Sequence, residues 1–549
     1  MNAEQLLQHF ERISEAPDAI PRLRRFILDL AVRGKLVEQD PRDEPAAELL
    51  KRIATEKARL VKASKIKAKP SLAEVTDDQA PYKLPSSWQW VRFANIVDFS
   101  AGRTPSRNEP RFWNSGDYYW VSIADMQEGQ VLTATKETVS REAREQVFRS
   151  EPEEPGTIIM SFKLTIGKIA RLGVTAFHNE AIISIRPHIA DLDAYLFKVL
   201  PQFARQGDTK GAIKGATLNR ESISNIFFPL PPLAEQHRIV AKVDELMSLC
   251  DQLDAAKAEG EKCRDSLVAA SLQRLNQPVE EEETFREHAR FVFNNLARIT
   301  TRTAHIKQLR QIILNLAVRG KLVPQVPGDE LEPANTASKI NINLPLGWQS
   351  ETVFDLAALK SGSSFSSEKE LSQGEYIYVK VSDMNLPGNQ YEITTSTRFI
   401  SPNKQDLKSL IPANSIIFPK RGGAIATNKK RLVKTPIFVD SNIMAIVCPP
   451  ITQLSYLYIW FLRIDLWELN SGTSVPQINN KDIGPLVVSL PPLTEQHRIV
   501  TKVDELMSLC DQLEAQITVT EQDSRRFLES VLADALAPGI DLREVAEVA

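Results

Sequence analysis

Basic side chains set among turn residues are the groups in this sequence best placed to do chemistry, and that chemistry is the holding of phosphate. In one stretch Arg103, Arg107, Lys163, Lys168, Lys210, Lys214 and Arg220 fall on expected loops. In a second, Lys404, Lys420, Arg421, Lys429, Lys430, Arg431 and Lys434 do the same. Lys420-Arg421-Gly422-Gly423 joins charge to glycine, which lets a backbone come close to a phosphate. Arg, Lys, Asn and Gln are also the side chains that read base edges in the major groove. The excess of Lys and Arg over Asp and Glu is only +2 in residues 81–228 and +2 in residues 341–489. Placement therefore carries this argument, and net charge does not.

Catalytic motifs are missing. Gly167-Lys168 is the nearest approach to a P-loop, but the earlier glycine and the following Ser or Thr are absent. There is no GxG for a nucleotide or S-adenosylmethionine loop, no HExxH and no GxSxG. The Asn/Asp-Pro-Pro-Tyr/Phe element that amino-methyltransferases set against a target amine is also lacking. The seven histidines form no ligand-spaced cluster. His237 and His497, at matched helix starts, suit a polar helix face or a partner contact better than a metal. No catalytic residue and no metal ligand is expected.

The elements that must position these loops are repeated. Residues 230–253 read LPPLAEQHRIVAKVDELMSLCDQL and residues 490–513 read LPPLTEQHRIVTKVDELMSLCDQL, differing only at Ala234/Thr494 and Ala241/Thr501. The offset is 490 − 230 = 260. LAVRGKLV occurs at 30–37 and again at 316–323, an offset of 286. Leu84-Pro85-Ser-Ser-Trp88 opens one variable stretch, and Leu344-Pro345-Leu-Gly-Trp348 opens the other. Inside these stretches YYWVSIADM pairs with YIYVKVSDM, GTIIMSFK with NSIIFPKR, and AIISIRP with NIMAIVCP. The rest diverges. Short β-type runs between turn signals predict a compact, β-rich domain with some helix in each, for example SYLYIWFLRIDL at 455–466.

Each LPPL segment should end a strand and open a long helix. Ile239, Val243, Leu246, Cys250 and Leu253, like Ile499, Val503, Leu506, Cys510 and Leu513, step by 4, 3, 4 and 3, an a/d seam. The next step lands on Lys257 in the first copy and Ile517 in the second. About 40 residues of helix would span roughly 60 Å. The first helix should break near Asn276-Gln-Pro278 and the acidic run at 280–283, with a further helix leading into the second LAVRGKLV.

At the N-terminus, Leu6, Phe10 and Ile13, then Leu23, Phe26, Ile27, Leu30 and Ala31, predict helices, with Pro21 in a first turn and Gly34 as C-cap. Residues 43–69 have no counterpart in the second half. They read either as a solvated linker helix or as a helix whose Lys-rich end touches phosphates.

At 549 residues and net charge −3, with 42% hydrophobic and 25% charged residues, the composition is that of a soluble globular protein with several domains. Neither a signal peptide nor a membrane span is expected, and the compartment expected is the cytoplasm. Cys250, Cys263, Cys448 and Cys510 form no CxxC. Cys250 and Cys510 fit small buried core residues in a reducing compartment, with a disulfide between them the competing reading.

The two LPPLxEQ helices, the repeated LAVRGKLV and the two LPxxW-initiated variable domains together resemble the specificity subunits of type I restriction–modification systems, over essentially the whole chain. The resemblance implies an α+β, pseudo-twofold tandem repeat: two globular α/β target recognition domains separated by long antiparallel coiled-coil helices. It divides the chain into an N-terminal helical region (1–83), recognition domain 1 (84–229), central long helices (230–341), recognition domain 2 (342–489) and a C-terminal long helix (490–549). It implies a non-catalytic subunit that reads a bipartite, asymmetric site in double-stranded DNA. That subunit docks two modification (adenine N6 methyltransferase) subunits and two ATP-dependent motor-nuclease restriction subunits. S-adenosylmethionine, ATP and Mg²⁺ are expected on those partners, and no cofactor in this chain. A spacer near 60 Å would cover roughly 18 base pairs at about 3.4 Å per step. The competing reading is a duplicated coiled-coil adaptor without sequence-specific DNA binding.

Overall fold

The computed structural model describes residues 16, 18–68, 70–148, 150–163, 165–204, 210–212, 215–217, 219–276, 282–295, 300–326, 328, 344–472 and 475–536. The helix expected around Leu6, Phe10 and Ile13 and the linker at 277–281 lie outside them, as does Lys214. The chain divides into two compact units, residues 1–259 with 521–549, and residues 260–520. This division differs from the five sequence segments because it cuts each long helix.

The first unit begins with α1 (Ala19–Val32), which buries Ile20, Leu23, Phe26, Ile27 and Ala31 along one face. It stops where Gly34 takes φ +67° and the Lys35 amide bonds the Leu30 carbonyl at 3.0 Å. Helix α2 (Ala46–Lys62) occupies the stretch without a counterpart. It is no free linker: Ala46, Leu49 and Ile53 are buried in the unit's core, while Lys62, Lys65 and Lys67 stay exposed.

Strand β1 (Gln89–Arg92) enters the globular domain, and its antiparallel partner, the last strand of that domain, leaves it, so both ends of the domain meet in one two-stranded stalk. Between them lie β2 (Val97–Ala101), β3 (Trp113–Val121), β4 (Val131–Leu132), β5 (Glu137–Val139), β6 (Ile158–Ser161), β7 (Ile169–Leu172), β8 (Ala176–His178) and β9 (Ile182–Pro187). Then come α3 (Asp193–Ala204), the hairpin β10 (Lys210–Ala212) and β11 (Gly215–Thr217), and the stalk strand β12 (Phe227–Leu230). One sheet runs β2-β9-β6-β7-β4 and a second runs β5-β3-β8, with β3 and β8 parallel. Strands β6 and β9 are buried almost throughout, and this explains their uninterrupted apolar runs.

Helix α4 (Leu233–Asn276) starts directly after the stalk. In the first unit Ile239, Val243 and Cys250 are buried, and Leu246 and Leu253 partly so, in one cluster with Ile20, Leu23 and Ile27 of α1. Arg24 of α1 pairs with Asp251 at 2.7 Å and Asp254 at 3.8 Å. Lys257, where the apolar pattern fails, donates to the Ala16 carbonyl at 3.2 Å.

The second unit repeats this plan. It contains the end of α4, α5 (Glu282–Asn294) and α6 (Thr303–Ala317), followed by the stalk strand β13 (Gln349–Thr352). Next come β14 (Ala358–Ser361), β15 (Tyr376–Val379), β16 (Phe399–Ile400), β17 (Ser415–Pro419), β18 (Arg431–Val433), β19 (Phe438–Val439) and β20 (Ile443–Val447). Helix α7 (Leu454–Leu462), the stalk strand β21 (Val487–Leu490) and α8 (Leu493–Leu536) complete it. The sheets run β14-β20-β17-β18 and β16-β15-β19, with β15 and β19 parallel, and β13 pairs with β21. Each of these strands has its counterpart in the first domain, and among the described residues only β4 and the β10–β11 hairpin of that domain have none here.

Ile499, Val503 and Cys510 are buried with Leu309 and Ile313 of α6, and Ile517 packs against the same cluster. Arg310 pairs with Asp511 at 2.6 Å and Glu514 at 2.8 Å, repeating the Arg24 pairs. The residues expected to form a seam between the two long helices therefore pack in each unit on the LAVRGKLV helix.

The ends of the long helices also take part. In the first unit Leu528 and Val531 of α8 pack on Ala16 and Ala19, and Glu529 pairs with Arg22 at 2.9 Å. In the second, Val268, Leu272 and Leu275 of α4 join the core cluster of α6. Among the described residues no helix is long and apolar enough to cross a membrane. None of the four cysteines is in a disulfide, and Cys250 and Cys510 are buried.

Candidate nucleic-acid interface

The same junction holds each globular domain to its helices. Gly34 and Gly320 have φ of +67° and +65°. A Cβ on them would stand 2.4 Å from Pro85 Cγ and 2.6 Å from Pro345 Cγ. Beside each proline a tryptophan donates its indole N–H to a buried carboxylate: Trp88 to Glu235 at 2.8 Å and Trp348 to Glu495 at 3.0 Å. Burial outweighs these bonds at Glu235 and raises its pKa. Gln236 and Gln496 each donate to the carbonyl of the first proline of their LPPL segment, Pro231 and Pro491, at 2.9 Å. LAVRGKLV, LPxxW and LPPLxEQ are thus three faces of one contact made twice, and this contact presents both domains on the same kind of mount.

Loops gather at one end of the larger sheet in each domain. In the first, Gly102 and Phe162 donate their amides to Ile182 and Ala181 at the start of β9, at 3.2 and 2.9 Å. The connection that follows β2 and the one that follows β6 therefore leave the sheet side by side. In the second, Gly362 and Lys420 donate to Ile443 and Asn442 at 3.0 and 2.7 Å, the same arrangement. There the 470–478 segment joins them: Arg421 bridges Gln477, and Gly422 donates to the Pro476 carbonyl at 2.8 Å. The corresponding segment of the first domain holds the β10–β11 hairpin.

The arginines of the first domain are largely tied down. Arg103 donates to the Val147 carbonyl at 3.2 Å, and its own carbonyl accepts the Trp120 indole at 3.0 Å. Arg107 lies 3.9 Å over the Trp113 ring, with both terminal nitrogens on Glu137. That pairing raises its pKa and leaves no fork for a base. Lys163 and Lys168 flank the β6–β7 connection: Lys163 lies 5.4 Å from the Phe162 ring, and Lys168 reaches the Ile123 carbonyl at 3.3 Å. Arg220 is exposed, 5.9 Å over the Phe99 ring. The Lys210 backbone belongs to β10.

The second domain separates its basic cluster. Lys420 is half-buried and donates to Ser361 Oγ at 2.8 Å; burial and the neighbouring Arg421 lower its pKa. Arg421 is exposed and donates to Gln477 Oε1 at 3.2 Å. Lys429 bonds Asn385, and Lys434 pairs with Glu392 at 2.6 Å. Lys404 is exposed on the loop before Asp406.

Lys430 corrects the sequence reading. It is 1% exposed, with its ammonium on the Ile464 carbonyl at 2.7 Å and Asn428 Oδ1 at 2.8 Å, so it cannot meet a phosphate. Burial lowers its pKa to about 7. Arg431 is likewise committed inward, to the carbonyls of Lys430 at 2.8 Å, Met384 at 3.3 Å and Asn389. Such use of a cation as an internal clamp is invisible in a KKR run.

Cations held by rings, carbonyls, hydroxyls or amides mark the equivalent loops: Lys163 and Lys168 in one domain, Lys420, Arg421 and Lys429 in the other. By register Lys163 matches Arg421, since Ile158 and Ile416 occupy the same place in β6 and β17. Sequence reasoning missed Gly102 and Gly362, which stand at offset 260. A Cβ on either would fall within 2.3 Å of a carbonyl oxygen of the neighbouring strand end, which fixes the course of the loop after β2 and β14. His237 and His497 are exposed on the first turns of α4 and α8.

Comparison with known proteins agrees with this duplicated plan. A family model described as type I restriction modification DNA specificity domain matches residues 85–259 and 345–520. The type I restriction enzyme EcoAI specificity subunit of Escherichia coli is 28% identical over 94% of this chain and 93% of its own. The EcoEI specificity subunit of the same species is 26% identical over the same shares. A solved chain from work on complex assembly and conformational transition of the type I R-M system superposes with TM-score 0.50 at 19% identity. It covers 84% of this chain and all of its own. With both matched segments lying on the two stalk-mounted domains and the starts of their long helices, the chain belongs to the type I restriction modification DNA specificity domain family.

Proposed function

We propose that this chain is the DNA-recognition subunit of a type I restriction–modification assembly and performs no catalysis itself. The observation that carries the reading is two domains of one topology, on matching mounts, whose loops at the same sheet end differ in chemistry. The first domain sets a single arginine, Arg107, over Trp113 and Trp120. The second offers serines with Lys420 and Arg421. Identical frames suit identical partners, and unlike loops suit unlike half-sites.

Lysines and arginines on the loops neutralise backbone phosphates and set the register. Asn and Gln side chains, with a paired donor and acceptor, suit base edges. Two 44-residue helices, each about 66 Å long, serve as the spacer between half-sites. The partners are two modification subunits that carry S-adenosylmethionine for adenine N6 methylation and two ATP- and Mg²⁺-dependent restriction subunits. An adaptor without DNA recognition is not favoured, because both family-model matches are to DNA specificity domains.

Replacing residues 84–228 with another recognition domain should change one half of the recognised sequence and leave the other half intact. Methylome sequencing of cells carrying the hybrid reads this directly. A change in both halves would sink the modular reading.

A further inference from the structure

A groove of about 520 Å³ opens in the second unit beside the loop after β14, lined by Ser361, Ser363, Ser364, Phe365, Ser366, Lys369, Gln405, Asp406, Lys408 and Ser409. Its volume falls in the range of roughly 300–1,000 Å³ usual for ligand sites, but such sites are mostly apolar. Here the apolar wall is Phe365 alone, packed edge-on to Tyr378 and Phe438, each at 5.3 Å. Apart from one carboxylate, hydroxyls, an amide and ammonium groups supply the rest. Those are the donors proteins use on the sugar–phosphate backbone.

The groove is built. Gly362 packs so closely on the Val439 and Asp440 carbonyls that no Cβ fits, and the Ser363 amide donates to the Val439 carbonyl at 3.0 Å. Ser364 Oγ meets Ser441 Oγ at 2.7 Å. The one carboxylate in the wall, Asp406, is neutralised by Lys369 at 2.8 Å and accepts the Asn403 amide at 3.1 Å. Lys408 is exposed, and among the described residues no carboxylate holds it. Across the rim Lys420 bonds Ser361 Oγ at 2.8 Å, which makes the groove continuous with the Lys420-Arg421 loop.

We propose that this groove is a phosphodiester-binding site that seats the DNA backbone of the half-site read by the second domain. Ser363 and Ser366 donate to phosphate oxygens, and Lys408 and Lys420 supply charge. The proposal rests on the DNA-recognition reading above and adds the place where backbone is held.

The test measures duplex binding by the full-length chain across a salt series, using specific and random-sequence duplexes. Lys408→Gln with Lys420→Gln should weaken binding to both duplexes alike and lower the salt slope by about 1 per lysine. Ser366→Glu, an exposed change that leaves the core intact, should weaken both duplexes in the same way. Unchanged slopes in both variants, with the wild-type chain still binding, overturn the groove and leave DNA recognition standing. Loss for one sequence at unchanged slope also overturns it, since that marks a base reader. A wild-type chain with no salt-dependent duplex binding overturns the reading beneath it as well.

Discussion

Lys429, Lys430 and Arg431 are neighbours in sequence and do unrelated work. The middle one is buried beneath α7, near Phe461, with its ammonium on two oxygens. In the folded protein it releases its proton near pH 7, whereas in the unfolded chain it holds it to about 10.5. Between those values the unfolded chain binds more protons, so stability rises with pH; below pH 7 both states are protonated and this contribution is flat. We expect a rise on the order of 1 kcal/mol per pH unit across that window. Chemical denaturation at several pH values should show the slope in the wild-type chain and its loss in Lys430→Met. Equal slopes would show that Lys430 does not titrate as its burial implies. A run of three basic residues reads in sequence as one surface patch, because a sequence does not show which of them the β17–β18 connection turns inward.

At the scale of elements, the junction of LAVRGKLV, LPxxW and LPPLxEQ decides how each domain is mounted. Gly34→Ala and Gly320→Ala each force a side chain into the left-handed region and into a proline ring. Each should destabilise its own unit by about 1–3 kcal/mol, read from urea unfolding followed unit by unit. A neutral result at either would show that the close approach relaxes at no cost. The repeats, both long helices and the pairing of β-runs were legible in sequence because they recur at fixed offsets. What recurrence could not reveal is that offsets of 286 and 260 converge on one contact, since Gly34 meets Pro85 only through tertiary packing. The difference between the offsets is occupied by α2, whose Leu49 and Ile53, one turn apart, were the visible sign of a docked helix. The serine groove was hidden for another reason. Serine and glycine in a loop read as turn chemistry, and only the strand ends that they bridge make a site of them.

For the whole molecule, the long helices matter because each belongs to both units. Helix α4 packs in the first unit up to residue 259 and in the second from residue 260. Four residues inserted at that boundary add about 6 Å of rise and a rotation of about 40°. The spacer recognised between half-sites should then lengthen, which methylome sequencing of the insertion strain would reveal. The original spacing, retained with full activity, would refute α4 as the ruler.

The sharing of helices also bears on the order in which the protein can be completed. The first unit includes residues 521–549, and its Ala16 and Ala19 rest on Leu528 and Val531. A ribosome therefore finishes the second unit before it releases the helix that closes the first. The contact of Ala16 and Ala19 with that helix waits through the synthesis of the whole C-terminal half, and a chain cut short at residue 520 lacks it.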